Sequence, residues 1–148
     1  MSAVTFLGTA AANAFPEAFC RCQNSVQACI LGGNSLRKRS AALINDDLLI
    51  DLGPDIMSAS QIHELPLHQV RYCLQTHPHA DHLDLSHLLS RSPAYGVADA
   101  PVLQFYASRE TLAYSVAAKP FSWKYTHTSR RITLNESLRQ ATSKMSRS

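Results

Sequence analysis

Thr76-His77-Pro78-His79-Ala80-Asp81-His82 places three imidazoles and one carboxylate within seven residues. The strand-like apolar run Val70-Arg71-Tyr72-Cys73-Leu74-Gln75 leads into it. Behind it, Leu83, Leu85, Leu88 and Leu89 predict the apolar face of a helix over His82 to Arg91. Imidazole is a common ligand of zinc and related divalent ions, and carboxylate suits the harder ones. Alternate side chains of an extended loop point the same way, so His77 and His79 are expected to grip one ion together. Asp81 and His82, turning with the helix start, are expected to face a second ion. A metal pair about 3.5–4 Å apart can polarise a phosphoryl or carbonyl oxygen. Isolated histidines are usually ordinary surface residues, but three with an aspartate at this spacing are not.

The elements on either side predict an α/β layered domain. Val4-Thr5-Phe6-Leu7 reads as a strand closed by Gly8, and Ala10 to Gly33 reads as an irregular segment. Arg39 to Ile44 and Leu48 to Leu52 read as strands paired in a hairpin across Asn45-Asp46-Asp47. Gly53-Pro54-Asp55 ends the second of them and starts a helix, with Ile56, Ala59, Ile62 and His63 at helical spacing up to Leu65. Val102 to Ala107 is again strand-like, and Ser108-Arg109-Glu110 opens a helix to about Lys119. His63, His68 and His87 read as surface or helix-face residues, and Tyr72 and Trp123 as packing residues.

The spacing His77, His79, Asp81, His82 matches the H-x-H-x-D-H signature, and on it the chain resembles the metallo-β-lactamase superfamily. Val4 to Thr9 looks like the family's opening strand and glycine turn. Leu48 to Asp55, L-L-I-D-L-G-P-D, looks like its strand with a buried aspartate and glycine. The resemblance runs from about Ala3 to Lys119 and implies the N-terminal half of an αββα sandwich. It implies a hydrolase that uses zinc or manganese, one or two ions per site, with His77, His79, Asp81 and His82 as ligands. Asp81 would also serve catalysis, and Asp51 would orient a ligating histidine from behind. A phosphodiester, small or nucleotide, is the implied substrate class. Phe19-Cys20-Arg21-Cys22 is similar to a C-x-C-x-x-C insert that binds structural zinc in some phosphodiesterases of this superfamily. Cys20 and Cys22 match that insert, Ser25 stands at its third position, and Cys29 is out of step with it.

The same resemblance shows what the chain lacks. Family members complete a dinuclear site with a His, a bridging Asp and a final His from their second half. Beyond Asp99 this sequence has no aspartate, its sole later histidine is His127, and Glu110 and Glu136 are the remaining acids. Half a sandwich would leave an apolar sheet face open to self-association. A truncated or frame-altered product, with an unrelated tail from about Pro120, is therefore expected.

Composition agrees with a single soluble domain of 148 residues, 45% of them apolar. No stretch approaches the roughly 20 apolar residues of a membrane helix. The apolar start Met1 to Ala12 carries no Lys or Arg and so lacks a signal peptide's basic region. The net charge of +3 belongs to the tail: Lys and Arg number eight against ten acids up to Lys119, then six against one. Such a tail can attract nucleic acid, yet it carries no recognisable nucleic-acid-binding motif. Four cysteines, with Cys20 and Cys22 too close to pair comfortably, fit free thiols or metal ligands in a reducing cytoplasm better than a secreted disulfide framework. Two readings follow, an active metal-dependent phosphodiesterase and a non-catalytic metal-binding fragment. Ancestry favours the first, and the ligand count favours the second.

Overall fold

Leu43, Leu49, Cys73 and Phe105 stand in one row across four neighbouring strands, and none is more than 3% exposed. In the computed structural model, residues 2–91 and 100–118 are described, together with the backbone of Ile132–Glu136. Six strands, β1 (Val4–Gly8), β2 (Ala41–Ile44), β3 (Leu48–Ile50), β4 (Tyr72–Leu74), β5 (Leu103–Ala107) and β6 (Ile132–Glu136), form one sheet in sequential order. The first three pair antiparallel and the last three join in parallel. Parallel neighbours need crossover connections, and helices supply two of them: α2 (Ile56–Ile62) and α3 (Ser86–Leu89). A further helix, α4 (Arg109–Ala117), follows β5 and is capped by Ser108, whose side chain accepts from the Thr111 amide.

Alternation gives the sheet two unlike faces. One packs under the helices, where Ile56 and Ala59 of α2 and Leu83, Leu85 and Leu88 around α3 join the strand residues in one core. On the other face, Phe6, Ala42, Ile50, Leu74 and Tyr106 form one row and Val4, Ile44, Leu48 and Tyr72 another. This second face is nearly as apolar as the first, yet Phe6 is 67% exposed and Val4 54%.

The predicted hairpin is present. Asn45 and Asp46 both take positive φ, 50° and 63°, as a type I′ turn demands, and Asp47 N closes it on Ile44 O. Other expectations need correction. Within the segment read as irregular lies a nine-residue helix, α1 (Gln23–Leu31). It buries only Ser25 and Ala28 and so carries no apolar stripe to announce it. Ile62 is solvent-exposed and does not continue the buried side of α2. The helix expected from His82 is confined to Ser86–Leu89, because the Asp84 amide bonds to Leu52 O and its carboxylate accepts from the Ser86 amide. Both bonds fix a turn where helix was expected. Of the tail after Pro120, the strand Ile132–Glu136 is described. His127 and Trp123 lie outside the described residues.

Candidate metal centre

The histidine loop leaves β4 at the end of the sheet where β3 also ends, so two adjacent parallel strands deliver its parts to one place. Such crevices beyond the carboxyl ends of parallel strands are recurrent ligand sites. From β3 comes Asp51, buried at 4% exposure, whose φ of +62° turns the chain sharply out of the strand. Aspartate tolerates this left-handed conformation better than most residues.

Asp51 collects donors from the loop. Its Oδ1 accepts from the Thr76 amide at 2.8 Å, from Gln75 Nε2 at 3.1 Å and from the Thr76 hydroxyl at 2.9 Å. Its Oδ2 lies 2.9 Å from the same hydroxyl and 2.7 Å from His82 Nδ1. A carboxylate can only accept, so His82 donates from Nδ1 to Asp51 and turns Nε2 toward Asp81. Thr76 Oγ1, with its own hydrogen directed to Asp51, can accept from His77 Nδ1, 2.9 Å away. In that arrangement His77 keeps its Nδ1 engaged with Thr76 and has Nε2 as the nitrogen left to coordinate. Asp51 thus reaches both imidazoles, His82 directly and His77 through the Thr76 hydroxyl.

One donor atom from each of His77, Asp81 and His82 falls within 4.8 Å of the others, the sole such group of three among the described residues. Asp81 Oδ2 is 3.2 Å from His82 Nε2. The His77 and His82 rings have centroids 4.1 Å apart, and His79 meets His77 edge-on at 4.7 Å. His79 thus borders the group without entering it. The grouping His77 with Asp81 and His82 also differs from the expected division into a His77–His79 pair and an Asp81–His82 pair. Two imidazoles and a carboxylate suit zinc or manganese by their chemistry, and the pre-oriented Nε2 atoms suit an ion by geometry.

Gln75 escaped the sequence reading. It is 3% exposed, and its amide donates to Asp51 and to the carbonyls of His77 and His82, each at about 3 Å, while its oxygen accepts from the Leu52 amide. It ties the strand carrying Asp51 to both ends of the histidine loop. The signal was present: strand alternation puts Gln75 on the buried side with Cys73, and a polar residue there must be bonded. Gly53 has a complementary role, since a Cβ on it would stand 2.8 Å from the Asp81 carbonyl oxygen. The loop can close over β3 only because that side chain is missing.

Cys20 and Cys22 are exposed with their sulfurs 3.4 Å apart, and Cys22 Sγ is 3.3 Å from Ser25 Oγ. No third sulfur, imidazole or carboxylate joins them among the described residues. Cys29 is a separate exposed thiol, and burial pushes the thiol of Cys73 far up, so it stays protonated. His63 and His68 are exposed. His87 is partly buried, with Nε2 3.8 Å from Asp84 Oδ2. A cavity of about 550 Å³ between α2 and α3 is lined by Leu52, Met57, Leu67 and His87 among others, and by none of the loop histidines. No described helix is long and apolar enough to cross a membrane.

No protein-family model and no curated protein matches the sequence. Solved structures do match. A diphosphatase of the PhnP family superposes with a TM-score of 0.69 at 18% identity, over 92% of this chain and 51% of its own. The fold is metallo-β-lactamase-like. A second structure with this fold, Zn(2+)-bound PqqB from Methylobacterium extorquens, superposes with a TM-score of 0.65 at 22% identity, over 92% and 49%. The chain thus spans about half the length of either metallo-β-lactamase-fold structure.

Proposed function

We propose that this chain provides the metal-binding half of a metal-dependent hydrolase acting on phosphodiesters. The single observation behind the proposal is the Asp51-organised cluster, in which His77, Asp81 and His82 converge while Asp51 and Thr76 hold the two imidazoles by their Nδ1 atoms. The PhnP-family diphosphatase and the zinc-bound PqqB support it by fold. His77, His82 and Asp81 would hold zinc or manganese, with His79 drawn in from the edge. A divalent ion there supplies Lewis acidity, polarising a phosphoryl oxygen and acidifying water. Asp51 keeps the ligand tautomers fixed, Thr76 relays that constraint to His77, and Gln75 keeps the loop closed on β3. Asp81, with its side chain 15% exposed and beside His82, would be the carboxylate that accepts a proton from attacking water.

Among the described residues three convergent donors fall short of a dinuclear set, and Val4, Phe6, Tyr72 and Leu74 on the second sheet face are exposed. These two observations favour a second reading, in which the chain binds metal without turnover until a complementary layer covers that face. Metal content of the purified chain, measured beside hydrolysis of bis-p-nitrophenyl phosphate, separates the two. Metal-dependent turnover abolished by His82→Ala supports the hydrolase. Stoichiometric metal that is lost in His82→Ala, without turnover in either protein, supports the second reading. Absence of bound metal after reconstitution with zinc and with manganese sinks both.

A further inference from the structure

Cys20 and Cys22 lie outside the histidine cluster and its chemistry. Their sulfurs are 3.4 Å apart, close enough that about 1.4 Å of approach by side-chain rotation would reach the bond length of about 2.05 Å. Both are exposed to reagents in solution. Cys22 is also the N-cap of α1, where unpaired backbone amides favour a thiolate. The Ser25 hydroxyl and amide and then the Cys20 thiol bring the Cys22 thiol down to about 7. A disulfide across one intervening residue closes a small, strained ring, and strained, exposed disulfides are the labile and oxidising ones. The pair is thus unsuited to a permanent staple and suited to reversible exchange.

We propose that Cys20 and Cys22 form a redox-active dithiol that exchanges with small-molecule disulfides, Cys22 attacking and Cys20 resolving. The Cys22 thiolate attacks one sulfur of the disulfide. That S–S bond breaks, a mixed disulfide forms on Cys22, and the departing thiolate leaves with the electron pair and takes up a proton. Cys20 then releases its proton and attacks the Cys22 sulfur, expelling the second small thiol. The protein loses two electrons and two hydrogens, and the small disulfide gains both. Ser25, where a third cysteine would complete a sulfur ligand set, serves here to stabilise the attacking thiolate by its hydrogen bonds.

At pH 7 a thiol titrating at about 7 is half thiolate, against about 1% for one at 9, and its lower intrinsic nucleophilicity cancels part of that gain, leaving a net advantage of about fivefold. The test treats the full chain with glutathione disulfide, alkylates the remaining thiols and maps the peptides by mass spectrometry. The peptide holding Cys20 and Cys22 should lose two hydrogens and both alkylation sites, recover them in dithiothreitol, and react before Cys29. Cys20→Ser should trap the mixed disulfide on Cys22. Cys22→Ser should leave Cys20 reacting more slowly than Cys22 does in the parent. Both cysteines are exposed, so neither variant endangers the fold, and neither touches the histidine loop. Two outcomes overturn the proposal. One is a pair that stays reduced while Cys29 is modified. The other is an equivalent of zinc that co-purifies on Cys20 and Cys22 and blocks both, which would make them structural ligands.

Discussion

Replacing Asp51 with asparagine alters one atom at the centre of the network and should disarm His82 as a ligand. Three donors converge on Oδ1, from Gln75, the Thr76 amide and the Thr76 hydroxyl, so the asparagine carbonyl must take that position. Its NH2 group then occupies the Oδ2 position, 2.7 Å from His82 Nδ1, where it can only donate. His82 must shed its Nδ1 proton and carry it on Nε2, the nitrogen the ion requires. Loss of an outer hydrogen-bond partner of a ligating histidine costs about 10–100-fold in metal affinity. This contact is short, charge-assisted and buried, which puts the expected loss in the upper part of that range, about 30–100-fold or roughly 2–2.8 kcal/mol. Competition against a chromophoric zinc chelator measures it, and long-range 15N–1H correlation of the imidazoles reports the tautomer directly. A melting curve in excess chelator isolates any effect on folding. Parent-like zinc affinity with His82 still protonated on Nδ1 would refute the reasoning.

Gln75→Leu should destabilise the chain by about 2–4 kcal/mol in urea unfolding, since it strands the Leu52 amide and two loop carbonyls in a buried site. Gly53→Ala pushes a methyl against the Asp81 carbonyl and should cost about 1–3 kcal/mol together with metal affinity, seen as a lower melting temperature and a weaker zinc isotherm. On the open sheet face, Phe6→Lys should leave stability within about 0.5 kcal/mol while shifting sedimentation velocity profiles toward monomer. Burial works against the charged form of Asp84, but the Ser86 hydroxyl and amide and the His87 ring outweigh it and hold the carboxylate below its usual range. A depressed carboxylate contributes stability above its unfolded value and loses it as pH falls through the folded one. Asp84→Asn should therefore lower stability at neutral pH and make it fall less as pH drops, so that urea unfolding of the two proteins converges at acid pH.

The clustering of the histidine loop, and its link to Asp51, were legible because their chemistry is dense in sequence. Four donors within His77 to His82 have no common structural use, and an aspartate inside the apolar run Leu48 to Leu52 needs a buried partner. The hairpin was legible for a similar reason, since Asn45 and Asp46 tolerate the positive φ that the turn imposes. What stayed hidden depended on contacts distant in sequence. The Asp84 amide abandons a helix for the carbonyl of Leu52, more than thirty residues earlier, and no local pattern records that choice. α1 was missed because a helix that buries only Ser25 and Ala28 has no periodic signature. Which imidazoles group together was also set in three dimensions: loop spacing pairs His77 with His79, whereas the fold brings His77 to Asp81 and His82.

The strict order β1 to β6 across the sheet has a consequence for how this chain is made. Every strand leaving the ribosome finds its partner already synthesised at the growing edge, so the sheet can extend vectorially, one strand at a time. Strands β2 and β3 need only the short closure across Asn45 to Asp47, whereas β2 reaches β1 across the long segment that holds α1, and each later parallel strand waits for the crossover behind it. His82 meets Asp51 once β4 has docked on β3, before any of β5 is required for that contact. The cluster of His77, Asp81 and His82 can therefore assemble before β5 and β6 have emerged, and an ion captured by it then would clamp the nascent sheet while those strands are still to come.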